Sequence, residues 1–233
     1  MKIGILKTDD VRKELVGEFG EYPEMFADLL RDQDSNLEFN TYEVQHGQYP
    51  DHIDEVDAYL ITGSKTGVYD DKPWIAPLMD FVRKLHGEKK PTIGICFGHQ
   101  LIAQALGGRA RKSDKGWGLG VHTYEMQETP SWMSEPAPNF SLLVTHQDQV
   151  DQLPLGGRVL ASSEFCPMAM VQVDDHMLSF QAHPEFTKPY SNSLMELRRE
   201  AFGEAVVDKG QESLKNDIHE NAVARWMLEF LRQ

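Results

Sequence analysis

Cys96 stands at the centre of Gly94-Ile95-Cys96-Phe97-Gly98-His99-Gln100, a G-x-C-x-G frame in which a sulfur could act as a nucleophile. A short apolar run, residues 91–95, enters the frame, and a helix-like stretch, residues 101–106, leaves it. The pattern predicts a buried strand that turns at once into a helix, with the cysteine at the corner. Glycines on either side remove Cβ atoms where the two backbones crowd. Such a corner lifts its side chain out of the sheet and aims a helix N-terminus at it. A helix N-terminus favours thiolate over thiol, and the thiolate is the attacking species.

A sulfur nucleophile needs a base within hydrogen-bond reach and a third group to orient that base. His183-Pro184-Glu185 supplies both, directly after the apolar run at 178–182. A histidine just past a strand end lies on the rim where α/β proteins keep their sites. Pro184 fixes the chain direction, and two-residue spacing in extended backbone puts His183 and Glu185 on one side. Glu185 can then bond one ring nitrogen while the other faces Cys96. The chemistry within reach of this set is acyl transfer through a thioester.

The elements that must position these groups follow a regular alternation. Short apolar runs at 2–6, 38–44, 57–62 and 91–95 read as strands. Helical patterns run over 22–31 and 74–86, the latter with Ile75, Leu78, Met79, Val82 and Leu85 at helical spacing. This alternation predicts an α/β fold with a parallel sheet covered by helices. Beyond Gly107-Gly108, shorter strands are expected at 118–126, 141–145, 158–163, 168–173 and 177–181, a mixed or antiparallel extension of the sheet. Residues 129–138 read as a surface loop, and a helical tail covers about 190–233, ending in a stripe of Ala222, Trp226, Leu228 and Leu231. The whole of 1–233 is expected to form one domain.

Composition removes several function classes. A net charge of −14 argues against a nucleic-acid partner, because phosphate binding needs concentrated Lys and Arg. No apolar run suffices to span a bilayer, and the N-terminus reads as a strand rather than a signal peptide. Two cysteines provide no disulfide framework, which predicts a reducing, cytoplasmic setting. Gly116-Trp117-Gly118-Leu119-Gly120 lacks the Lys and Ser/Thr of a phosphate loop and reads as tight turns. His46, His52 and His86 have no partners at ligand spacing, so neither a metal nor a cofactor is expected. Cys166 reads as structural, and Arg198-Arg199 as part of a solvated helix face.

Taken together, the Gly-Ile-Cys-Phe-Gly-His-Gln run and His183-Pro184-Glu185 resemble the class I glutamine amidotransferase family, in particular its free-standing, GMP-synthase-like members. The resemblance covers the chain from the first strand to about residue 187. It implies a flavodoxin-like, open, mostly parallel sheet flanked by helices. It also implies a γ-glutamyl thioester on Cys96, with His183 as general acid and base, Glu185 as its orienting partner, and ammonia as the first product. By the same resemblance, backbone amides of Phe97 and of the Gly63-Ser64 turn would hold the oxyanion. Gln100 would contact bound glutamine, and Thr145, Gln147 and Asp148 would lie on a loop that binds the substrate's amino-acid end.

Two positions depart from the family. Gly63-Ser64-Lys65 stands where members often have Gly-Gly-Pro, and Phe186 stands where many glutamine-using members carry a small hydroxyl residue. Three functions therefore stay open. One is a glutaminase that releases ammonia for a synthetase partner, which would be another polypeptide because the chain has no nucleotide-binding loop and no room for such a domain. The second is a self-sufficient hydrolase of γ-glutamyl peptides or amines. The third is a non-catalytic binding or sensor module. Each takes glutamine or a γ-glutamyl compound as its small-molecule ligand, and none dictates an oligomeric state.

Overall fold

Alternate side chains of the first strand enter two different cores. The computed structural model describes all 233 residues. In β1 (Lys2–Lys7), Ile3 and Ile5 pack with Phe26, Leu30 and Trp226, whereas Leu6 packs with Leu78, Val82 and Phe97. This period of two, with both faces buried, requires helices on each side of a sheet.

After β1 come α1 (Lys13–Phe19), α2 (Tyr22–Arg31), β2 (Glu38–Glu43), β3 (Ala58–Ile61), α3 (Ile75–Gly87), β4 (Thr92–Ile95) and α4 (Phe97–Ala105). The second half contains β5 (Arg109–Lys112), β6 (Gly118–Met126), β7 (Asn139–His146), β8 (Asp148–Gln152), β9 (Gly157–Ser162), β10 (Met170–Val173) and β11 (Met177–Phe180). Four helices close the chain: α5 (Lys188–Leu197), α6 (Arg199–Phe202), α7 (Glu204–Ser213) and α8 (Glu220–Leu231). Pro23 sits in the first turn of α2, where a missing N–H costs nothing.

Nine strands form one sheet in the order β2-β1-β3-β4-β11-β10-β9-β6-β7, and β5 and β8 form a separate antiparallel pair. The strands β2, β1, β3, β4 and β11 run parallel, while β10, β9, β6 and β7 add antiparallel pairings. Helices α2 and α8 cover one face of the parallel half, and α3 and α4 cover the other. The α/β class, the mostly parallel sheet and its antiparallel extension are as the sequence predicts.

Several local readings change. Gly118 and Gly120 lie inside β6 rather than in turns, and Gly120 takes a positive φ of 78° because α7 passes close by; a Cβ there would meet the Gly210 carbonyl oxygen at 2.4 Å. His86 is not isolated, since its Nδ1 lies 3.0 Å from Nε2 of His176. No helix is long and apolar enough to cross a membrane.

Candidate active site

The parallel strands deliver their C-terminal ends to one rim. Thr8 and Asp9 follow β1, Gly63 and Ser64 follow β3, Cys96 follows β4, and His183 follows β11. Ligand sites of open α/β sheets lie at this edge.

Cys96 joins β4 to α4 with no intervening residue, which forces a tight reversal. Its backbone adopts φ 52° and ψ −99°, a conformation that costs a non-glycine residue about 1–3 kcal/mol. The surroundings hold it there. A Cβ on Gly94 would come 2.6 Å from the carbonyl oxygen of Gly98, and one on Gly98 would come 2.5 Å from that of Ile61. The two glycines therefore let α4 press directly on β3 and β4, and the corner has nowhere else to go.

His183 is tied to β7 by its backbone N–H, which donates to the Leu143 carbonyl at 2.9 Å. Residues 184 and 185 form a turn instead of the extended chain expected from their spacing. The turn still brings Glu185 back to the ring, and His183 Nδ1–H donates to Glu185 Oε1 at 2.7 Å. Nε2 is left for the sulfur. Burial opposes a charge on His183, but the Glu185 carboxylate and the neighbouring Cys96 sulfur outweigh it and hold the imidazole pKa well above its ordinary value. Phe186 stacks flat on the imidazole, with centroids 3.9 Å apart and planes 8° apart, and is itself braced edge-on by Tyr190.

The Gly63-Ser64 turn lies against the same pair. A Cβ on Gly63 would meet His183 Cε1 at 2.9 Å and Cys96 Cβ at 3.6 Å, so only glycine fits. The Gly63 carbonyl accepts from the Thr8 hydroxyl at 2.9 Å. A trans peptide points its N–H opposite to its C=O, so this bond also sets the direction of the Ser64 N–H, which has no acceptor within the protein. The Asp9 carboxylate fixes the next step of the turn, accepting from Lys65 N at 2.8 Å and from Lys65 Nζ at 2.7 Å. Phe97 opens α4, and the first intrahelical bond runs from Gln100 N to the Cys96 carbonyl, so the Phe97 amide is one of the donors a helix leaves without an internal partner.

Two cavities meet at Cys96. One contains His183, Phe186, Gly63 and Thr145; the other contains Gln100, Thr145, Gln147 and Asp148. Of the residues singled out in the sequence, Cys96, His183, Gly63, Ser64, Gln100, Thr145, Gln147 and Asp148 line these cavities, whereas Glu185, bonded to His183, and the buried Phe97 do not. Gln100 is partly committed: its Nε2 donates to the Asp148 carbonyl at 3.0 Å and to Gln181 Oε1 at 3.1 Å. The Asp148 side chain accepts from Tyr69 at 2.7 Å, and burial raises its carboxyl pKa. The Thr145 hydroxyl turns back to the Val144 carbonyl.

Sequence reasoning missed Thr8, Asp9, Arg12 and Arg198. None belongs to a motif, and they meet only in the fold. Arg198 and Arg199 part company. Arg199 bonds Glu196, Glu204 and Asp208 in an outward network, whereas Arg198 lies over Phe202 and Trp117 and lines both cavities.

Residues 20–198 match the family described as glutamine amidotransferase class-I. Gamma-glutamyl peptidase 3 of Arabidopsis thaliana is 31% identical over 178 residues, covering 73% of this chain and 71% of that protein. A glutamine amidotransferase-like protein of Schizosaccharomyces pombe is 30% identical over 245 residues, covering 98% of each. Among solved structures, a glutamine amidotransferase from Thermotoga maritima superimposes with a TM-score of 0.76 and 18% identity over 99% of this chain and 96% of its own, a likeness of fold. The chain belongs to the class-I glutamine amidotransferase family.

Proposed function

We propose that this protein hydrolyses γ-glutamyl amides through a thioester on Cys96, acting without a synthetase partner. The observation that carries this reading is the cavity shared by Cys96 and His183, with His183 Nδ1 fixed to Glu185 at 2.7 Å. The Cys96 thiolate attacks the γ-carbonyl carbon and forms a C–S bond. Negative charge passes to the carbonyl oxygen, where the amides of Ser64 and Phe97 receive it; one such donor is worth about 3 kcal/mol of barrier. His183 gives its proton to the leaving nitrogen as the C–N bond breaks. Water then attacks the thioester, His183 takes a proton from it, and the C–S bond breaks to release glutamate.

Glu185 orients the imidazole and balances its charge, and Phe186 keeps the ring in plane. The similarity to γ-glutamyl peptidases supports a γ-glutamyl compound as donor. Intact-mass measurement after mixing with glutamine or with γ-glutamyl peptides tests the reading. The expected result is a gain of one glutamyl group on the wild type, faster with peptides than with glutamine, and none on Cys96→Ala. Absence of that adduct with every donor, or turnover that requires an added synthetase, overturns it.

A further inference from the structure

The two cavities that meet at Cys96 differ in which reacting group they contain. Only one holds His183. The proton for the departing nitrogen comes from His183 Nε2, so that nitrogen must lie on the His183 side of the sulfur. The cavity with Gln100, Gln147 and Asp148 is left for the glutamyl half. The His183 cavity is then the room for the leaving amine, and its walls indicate which amines fit.

Its charges do not cancel. The Asp9 carboxylate is taken up by the backbone N–H and ammonium group of Lys65. Asp10 pairs with Lys7 at 2.6 Å. The Tyr22 hydroxyl bonds that of Tyr190 at 3.2 Å. Arg12 and Arg198 remain. Neither forms an ion pair, and neither side chain donates a hydrogen bond to any protein acceptor, although both line this cavity. Arg198 is partly sheathed by the rings of Phe202, 4.3 Å from its guanidinium carbon, and Trp117, 5.3 Å away. Burial and the nearby charge of Arg12 both work against its protonation. Two guanidinium groups that line one cavity without a counter-ion, Arg12 on its exposed side and Arg198 half-buried, form a place for an anion, and a planar carboxylate matches their fork of donors.

We propose that Arg12 and Arg198 bind the carboxylate of the leaving amine, so that the preferred substrates are γ-glutamyl amino acids and peptides whose amine half carries a carboxylate. This rests on the hydrolase reading above and specifies its substrate class. Ammonia, the product from glutamine, would leave both guanidinium groups unused. The bonds made and broken are those already given; the products are glutamate and an amino acid or peptide.

The test compares γ-glutamyl-alanine with γ-glutamyl-alaninamide, which differ only in that carboxylate. The wild type should favour the acid by about tenfold or more in kcat/KM, chiefly through KM, as for charge-assisted hydrogen bonds. Arg12→Gln and Arg198→Gln should each lower the ratio, and the double variant should bring it close to one, with melting temperatures confirming that each variant folds. Equal use of the two substrates by the wild type overturns the proposal. So does a ratio that survives the double variant, or an equal loss with both substrates, which would place the guanidinium groups on the glutamyl half. The same pair titrated calorimetrically into Cys96→Ser protein reads discrimination without turnover. A protein that binds the acid selectively but forms no thioester keeps this anion site and refutes the reaction; one that forms the thioester from both donors alike does the reverse.

Discussion

Cys96 and Cys166 border the same apolar core, yet the fold treats them in opposite ways. Cys96 is pushed to a positive φ at a strand–helix corner, opens onto two cavities and faces an imidazole. Cys166 sits in a loop closed on both sides by Ser163, whose hydroxyl accepts from Cys166 N at 3.0 Å and whose N–H donates to the Cys166 carbonyl at 2.9 Å. Burial pushes the Cys166 thiol pKa up to about 12, and no histidine side chain bonds it. A cysteine's reactivity is thus a property of where the backbone presents the sulfur and what lies beside it.

The largest effect expected from this contrast is in turnover. Cys96→Ala should reduce γ-glutamyl amide hydrolysis by about 10³-fold or more, as loss of a nucleophile does. Cys166→Ala should stay within about twofold of wild type. Iodoacetamide labelling of the folded protein, read by peptide mapping, should mark Cys96 and spare Cys166. Equal labelling would erase the distinction.

Gly63→Ala sharpens the same contrast from the neighbouring turn. The added methyl would press on His183 Cε1 at 2.9 Å and shift the ring or the Ser64 amide. A loss of about 10²-fold in kcat is expected, comparable to removing one oxyanion donor, with an unchanged circular dichroism spectrum. Retention of full kcat would remove this turn from the reaction.

Cys166 should declare itself in alkaline stability. Its pKa is higher folded than unfolded, so its contribution is fully present below the unfolded value of 9.0 and is lost as pH climbs toward about 12. Over that window the slope is about 1.4 kcal/mol per pH unit from this one group. Urea melts between these limits should lose stability more steeply for wild type than for Cys166→Ala. Identical slopes would contradict the burial of this thiol.

The parallel half of the sheet was readable because its strands are apolar and its helices periodic, as with Ile75, Leu78, Val82 and Leu85 on α3. Helix α1 (Lys13-Glu14-Leu15-Val16-Gly17-Glu18-Phe19) buries only Leu15, and its short polar sequence gives little periodic signal. Strand β5, Arg-Ala-Arg-Lys, buries Ala110 alone, and its partner β8 is equally polar. These two elements pair with each other outside the main sheet, where apolar patterning is not needed.

The site divides in a similar way. Cys96, His183 and Glu185 carry a local motif, and Gly63, Ser64, Phe97, Gln100, Thr145, Gln147 and Asp148 follow from resemblance to a family. Thr8 acts through a single hydroxyl on a distant carbonyl, and Arg198 reads as one more charge on an acidic helix until the fold turns it inward. Long-range pairings of this kind leave no mark at short spacing. Phe186 was visible as a departure, but its flat contact with His183 was not.

The mutual approach of Gly94, Gly98 and Ile61 involves almost nothing but main chain. The side-chain atoms that reach the joint, Ile102 Cδ1 and Ile61 Cβ, already fill it, so the corner bearing Cys96 has little room for gradual adjustment. Variation in what the enzyme accepts has to come from segments that hang over the corner, such as residues 9–12, 64–70 and 198. Protein engineers seeking a new donor or amine should randomise those overhangs and leave the joint alone.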